Sequence, residues 1–357
     1  MGSLAALRSG SLGTVVLVFA FLSLFLVLLV FVVDLILSTR SFPGSLIVVG
    51  ELVLFFMLLQ WAISPAIVRR AIRRLTPVTA RSHPWLHETV ARLTNQAGVP
   101  MPRVWVSGNR EPNAFVFGMT PRLSELVVTE GLLEKLNADE VRAVLAHEVG
   151  HLRHKDVIVM TWVSAVPLLA YILARAGFEV LRAAGHGGGS SKGKGQVALI
   201  ALAVAVLSYC VYLVTQLLVL YLSRTREYYA DAYSAAATRD PHQLASALTK
   251  IAYGLSLARK DSEPSGLRAF FIGDPVKAHR DYDKLRDRMR RYDIDRDGQI
   301  DAYELQKALE QERRDSWRRA NELFATHPAT YRRILALESF EEEMKRSGLP
   351  GNIYRFV

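Results

Sequence analysis

Four long apolar runs, residues 12–37, 45–68, 157–181 and 197–222, restrict this 357-residue chain more than any other feature. Each exceeds the ~20 residues that an α-helix needs to cross a bilayer. In hydrocarbon a helix satisfies every backbone N–H and C=O internally, so such runs read as four transmembrane helices in a mainly α protein. The first run follows Arg8 as a signal peptide would. It is longer than the roughly 7–15 apolar residues of a signal peptide and ends in no small-residue cleavage site, so it reads as a retained span. The third contains Pro167 and closes near Arg175 and Glu179; membrane helices tolerate proline, and terminal charges snorkel to the interface.

A formal net charge of +10 would suit a nucleic-acid ligand if the basic residues lay on one folded face. They cluster beside the spans instead, at Arg69, Arg70, Arg73, Arg74, Arg224 and Arg226. That is positive-inside patterning: it makes these segments cytoplasmic and the lipid bilayer, with no nucleic acid, the expected partner. The connection between the first two spans carries only Arg40 and belongs outside. Residues 185–195, rich in Gly, Ser and Lys, read as a flexible outer linker. Cys210, the only cysteine, lies in the fourth span and permits no intrachain disulfide.

Just before the third span stands His147-Glu148-Val149-Gly150-His151. Asn137 with Glu140 reads as a capping box, and Val141, Val144, Leu145 and Leu152 form the apolar stripe of a helix. Histidines four apart share one face, about 6 Å of rise apart, and can converge on one Zn²⁺. Glu148 is then the candidate general base toward water. Glu227 offers a third ligand, and Asp231, four residues on, would orient a ligating histidine through its other ring nitrogen. Glu227 and Asp231 alone read equally as solvated acids of an amphipathic helix. Two spans separate the candidate ligand helices; an even number returns both to one membrane face. With straight helices, His151 lies about 9 Å and Glu227 about 7.5 Å from the membrane edge. His154 is too far along the helix to join both histidines on one tetrahedral ion and reads as a surface residue or one behind the ligands.

With these features in place, the chain resembles the HtpX family of membrane-bound zinc metalloproteases, relatives of the CAAX prenyl protease type I enzymes. Four motifs in order carry the resemblance: Asn113-Ala114-Phe115-Val116-Phe117-Gly118, the His147–His151 pentapeptide, the run from Ser223 to Asp231, and Thr326-His327-Pro328. It implies a zincin-like α+β protease domain on the cytoplasmic side, with His147, His151 and Glu227 on zinc and Glu148 as base. It also implies that Asn113, Ala114 and Phe115 lie along the cleft, where extended backbone can bind substrate as an added strand. An ordinary buried strand is the other reading of that segment. His327 stands open between a structural helix start and an oxyanion-stabilising catalytic role. Ala329 and Tyr331 depart from the family pattern, whereas Arg333 and Ile334 match it.

Residues 293–304 fit a twelve-residue EF-hand loop that would bind Ca²⁺. Asp293, Asp295, Asp297, Asp301 and Glu304 supply side-chain oxygens, Gln299 its carbonyl, and Gly298 the turn. A solvated acidic turn is the alternative. EF-hands pair through position eight, here Ile300, yet no second loop occurs, so its partner would be a second protomer, another calcium protein or the protease domain. This small helical segment lies outside the usual HtpX pattern.

The expected layout is two N-terminal spans at 1–68 and a first protease part at 69–156. Spans three and four with their Gly-rich loop follow at 157–222, then a second protease part at 223–275. The EF-hand-like insertion is 276–315, and the C-terminal protease part 316–357. The leading function is a zinc endopeptidase acting on membrane or misfolded proteins in quality control, with proteins or peptides as substrates and, from the resemblance, a prokaryotic plasma membrane as location. A CAAX-type prenyl-peptide protease and a catalytically silent calcium-responsive scaffold are the alternatives.

Overall fold

The computed structural model describes residues 4–37, 42–72, 74–186, 192–256, 328 and 330–347. The chain divides into two compact units, one of Met1–Ser64 with Ile158–Leu222, the other of Pro65–Val157 with Ser223–Val357.

The first unit is helical. It comprises α1 (Leu4–Leu37), most of α2 (Phe42–Ala71), most of α6 (Asp156–His186) and the apolar part of α7 (Lys192–Thr238). Among the described residues three helices are long and apolar enough to cross a membrane, Gly44–Ala71, Asp156–Ala183 and Gly195–Thr238; Leu12–Val27 is a shorter apolar helix. Val18, Leu22 and Phe25 of α1 pack with Val53 and Met57 of α2, Val163, Val166 and Leu169 of α6, and Val219 and Leu222 of α7. Gly177 permits a close helix approach, since a Cβ there would sit 2.9 Å from both the Ala201 oxygen and the Ala205 nitrogen. Large side chains such as Leu52, Phe55 and Ile67 in α2 remain exposed, which suits lipid better than water. The Gly/Ser/Lys segment is less of a free linker than its composition suggests, because α6 runs to His186 and α7 starts at Lys192.

The second unit holds a four-stranded sheet. Its strands are β1 (Leu75–Pro77), β2 (Arg103–Ser107), β3 (Ala114–Gly118) and β4 (Ser124–Thr129), in the order β1-β2-β4-β3. Only β2 and β4 run parallel. Period-two alternation separates the two faces. Val104, Val106, Ala114, Val116, Leu126 and Val128 join the main core with α3 (Pro84–Ala97), α5 (Ala138–Arg153) and α8 (Pro241–Ser256). Phe115, Phe117 and Val127 face the other way and pack with Val68, at the end of α2. The short α4 (Glu130–Lys135) follows β4, and α9 (Thr330–Ser347) packs on α8.

α5 begins where the sequence places it. The Asn137 side chain accepts from the Glu140 N–H, and the Glu140 carboxylate accepts from the Asn137 N–H. Glu140 also accepts from Ser246 Oγ at 2.6 Å and pairs with Lys250 Nζ at 2.7 Å, tying the start of α5 to α8. Burial raises the Glu140 pKa, but these hydrogen bonds outweigh it and hold the carboxyl below its ordinary 4.5. A carboxylate depressed by folding contributes stability above its unfolded pKa and loses it as pH falls through the folded value. Glu140→Gln is therefore expected to lower the unfolding temperature at pH 7, with the gap from wild type closing as pH drops below 4.5. Parallel thermal melts of detergent-purified proteins across that range check this.

Candidate metal centre

α5 presents His147 and His151 on one face, as the four-residue spacing demands. Glu227 arrives from α7, which continues unbroken past its apolar stretch to Thr238. The crossing is tight because residue 150 is glycine: a Cβ there would lie 3.2 Å from the Ala230 Cα and the Tyr233 side chain. The two Nε2 atoms are 3.1 Å apart, and Glu227 oxygens lie 3.8 Å from His147 Nε2 and 3.5 Å from His151 Nε2. Donors bound tetrahedrally to one Zn²⁺ at ~2.0–2.1 Å are separated by roughly 3.3–3.4 Å. The three residues thus fit a zinc ion, and their ligand atoms all lie within 4.8 Å of one another.

Each imidazole is held from behind by a carboxylate. His147 Nδ1 lies 3.0 Å from Asp231 Oδ1, and His151 Nδ1 lies 2.7 Å from Asp156 Oδ2. Burial lowers the His147 pKa against the opposing Asp231 hydrogen bond, and burial takes His151 down to about 4. Both rings are neutral at pH 7, and the hydrogen-bond network assigns the proton of each to Nδ1. Both Nε2 lone pairs then face one another, an arrangement that favours a cation between them. Asp231 stands behind His147, one of the two histidines that the sequence reading assigns to the metal.

The charges behind the ligands are balanced by two arginines. Arg333 of α9 is almost fully buried; its Nε and Nη2 donate to the two Asp231 oxygens at 2.8 and 2.6 Å, while Nη1 lies 3.0 Å from Glu227 Oε2. Arg226 donates to Asp156 and to the His154 carbonyl. Asp156, Arg226 and Arg333 had no assigned site role in the sequence reading. Arg226 read as a membrane-flanking charge; its side chain is instead mostly buried. The available signals were Asp156 five residues after His151 and Arg333 within a matching motif.

Glu148 is buried beside this cluster, and burial first, then the Glu227 charge, push its pKa well above 4.5. It receives a hydrogen bond from the Val116 backbone of β3. β3 ends the strand order. Backbone groups alternate along such a strand. Asn113 donates its N–H to Thr129 Oγ1 and accepts the Thr129 N–H, so its backbone turns toward β4, as does that of Phe115. Ala114 shares the outer edge with Val116. Phe115 places its ring in the cluster with Val68 and Phe117. His154 does not join the ligand set: its ring packs against Tyr229 and Tyr233. His327 and the loop of residues 293–304 lie outside the described residues.

Removing Arg333 leaves Asp231 and Glu227 buried without their shared counter-charge, which typically costs roughly 3–5 kcal/mol. Arg333→Ala is expected to lose stability on that scale and to retain less zinc after dialysis. Chemical unfolding and metal analysis measure both effects.

The model of peptidase family M48 matches residues 80–341. A protease HtpX homolog from Aeropyrum pernix is 40% identical over 211 residues, covering 59% of this chain and 64% of that protein. One from Methanothermobacter thermautotrophicus is 39% identical over 208 residues, 58% of this chain and 74% of that protein. Protease HtpX homolog 2 of Methanosarcina acetivorans is 32% identical over 271 residues, 75% of this chain and 76% of its own. The crystal structure of S. mikatae Ste24p aligns with a TM-score of 0.47 and 17% identity, over 87% of this chain and 61% of that one.

Proposed function

Because this chain belongs to peptidase family M48 and is similar to its HtpX members, we propose that it is a zinc-dependent integral-membrane endopeptidase. In this reading it cleaves membrane or misfolded proteins at the cytoplasmic membrane surface, in membrane protein quality control. The observation that carries the proposal is the convergence of His147, His151 and Glu227 with Glu148 buried beside them.

His147, His151 and Glu227 would hold the zinc. When bound, the metal supplies Lewis acidity and a local positive charge. Glu148, next to His147 on the same helix, takes a proton from the attacking water and returns it to the leaving amine. A peptide aligned along β3 would pair along its outer edge at Ala114, as β-augmentation requires, while Val116 donates its N–H to Glu148. This refines the substrate strand of residues 113–115: Asn113 and Phe115 support it by anchoring β3 to β4, with Ala114 in the pairing position. Four spans, the first built around Leu12–Val27, and the arginine pattern favour a cytoplasmic site.

Glu148→Gln keeps the side-chain shape and removes the base. Loss of a general base costs typically ~10²–10⁴-fold, so casein cleavage by the detergent-purified variant should fall on that scale while its zinc content stays at the wild-type level. Undiminished cleavage in a zinc-loaded variant would exclude Glu148 from the chemistry. A zinc-loaded wild type with no cleavage would favour the scaffold reading.

Calcium belongs to the same proposal. The EF-hand-like loop, residues 293–304, falls in the sequence between the helix carrying Glu227 and the helix carrying Arg333. Calcium bound there has a covalent route to a residue that braces the zinc ligands, and we infer that it regulates cleavage. Peptidase activity should rise or fall with free Ca²⁺ in the wild type and lose that response in Glu304→Gln, which removes the bidentate carboxylate of position twelve. Superimposable calcium titrations of the two proteins would rule out regulation through this loop.

A further inference from the structure

Asp156 and Arg226 form a buried pair behind the metal ligands for which the cleavage mechanism has no use. Asp156 is the first residue of α6, five positions after His151. Lys155, at φ 57, turns the chain between the two helices. Asp156 is 5% exposed; one carboxylate oxygen lies 2.7 Å from His151 Nδ1 and the other receives Arg226 Nη2. The same guanidinium nitrogen donates to the His154 carbonyl, so Arg226 ties the end of α5 to the start of α6. A buried ion pair of this kind contributes little net stability, because desolvation offsets its attraction. Its geometry has a specific consequence. A neutral imidazole carries one ring proton, and His151 can offer Nε2 to a metal only if that proton stays on Nδ1.

We propose that Asp156, held by Arg226, is a positioning residue for the zinc ligand His151, fixing its tautomer and ring plane. The proposal rests on the zinc reading above. It gives the centre two matched supports: Arg333 holds Asp231 against His147, and Arg226 holds Asp156 against His151. The adjacent residues Arg226 and Glu227 then serve the metal twice, one bracing the carboxylate behind a histidine and the other binding directly. Sequence distance hides this, since Arg226 and Asp156 are 70 positions apart.

The test uses full-length, detergent-purified protein. Zinc affinity is measured by chelator competition, and ligand geometry by visible absorption of the Co²⁺-substituted form. Loss of a carboxylate behind a ligating histidine typically weakens metal binding ~10–100-fold. Asp156→Asn should show a loss in that range, a shifted Co²⁺ spectrum, and a lower kcat at saturating zinc with KM unchanged. Asp156→Glu keeps the charge facing Arg226 but displaces the carboxylate by one methylene; it should fold if Asp156→Asn does not, and should still shift the spectrum. Glu140→Gln, at the start of α5 where the carboxylate contacts Asn137, Ser246 and Lys250, serves as control: it should lose stability with affinity and spectrum unchanged. Wild-type affinity and spectrum in a folded Asp156 variant would overturn the proposal, as would an equal spectral shift in Glu140→Gln. Wild-type protein whose Co²⁺ spectrum is insensitive to His151→Ala would overturn the zinc reading itself, and the positioning role with it.

Discussion

Two imidazole nitrogens, each with its ring proton committed to a carboxylate behind it, face one another 3.1 Å apart. Opposed lone pairs at that distance repel, so the surrounding protein must hold them there until a cation makes the contact favourable. Helix periodicity sets the spacing, since residues four apart share a face. Gly150 lets α7 lie close enough for Glu227 to reach the pair. Four largely buried carboxylates, Glu148, Asp156, Glu227 and Asp231, stand against two guanidiniums, Arg226 and Arg333. If all four ionise, two negative charges remain, which a divalent ion matches. A divalent ion held by the proposed ligands would complete that charge balance.

The parts of this centre that were legible in the sequence are those governed by local rules. The capping box at Asn137 and Glu140, the shared face of His147 and His151, and the spacing of Glu227 from Asp231 all follow from helix geometry within a few residues. The apolar runs were legible because bilayer thickness sets a length. Pairing across long sequence distances was not legible. Nothing local to Arg333 states that its guanidinium grips Asp231, 102 positions earlier. Arg226 matches the rule for cytoplasmic flanks, a basic residue at the end of an apolar helix, and nothing local to it adds that its side chain reaches Asp156. The strand proposed to receive substrate was half legible, since alternation along β3 decides which backbone groups face outward, and the phase of that alternation depends on pairing with β4.

The order of elements along the chain has a further consequence for how the centre forms. All three proposed zinc ligands come from α5 and α7, but the charge on Asp231 is not offset until α9 delivers Arg333. α9 is docked by Ile334, Ala336 and Leu337, which are buried, with Leu337 part of the main core. These apolar contacts, rather than the ion pair, are what fix α9 in place, because a buried ion pair adds little net stability. Residues 257–329 separate α8 from α9 in the sequence. A displacement of α9 by a few ångströms would withdraw the guanidinium from Asp231 and Glu227 together, since one planar fork serves both. The balance would then shift toward uncompensated negative charge around the ligands, changing metal affinity and the basicity of Glu148 in the same movement. Arg333 therefore couples the position of α9 to the charge around Glu227 and Asp231.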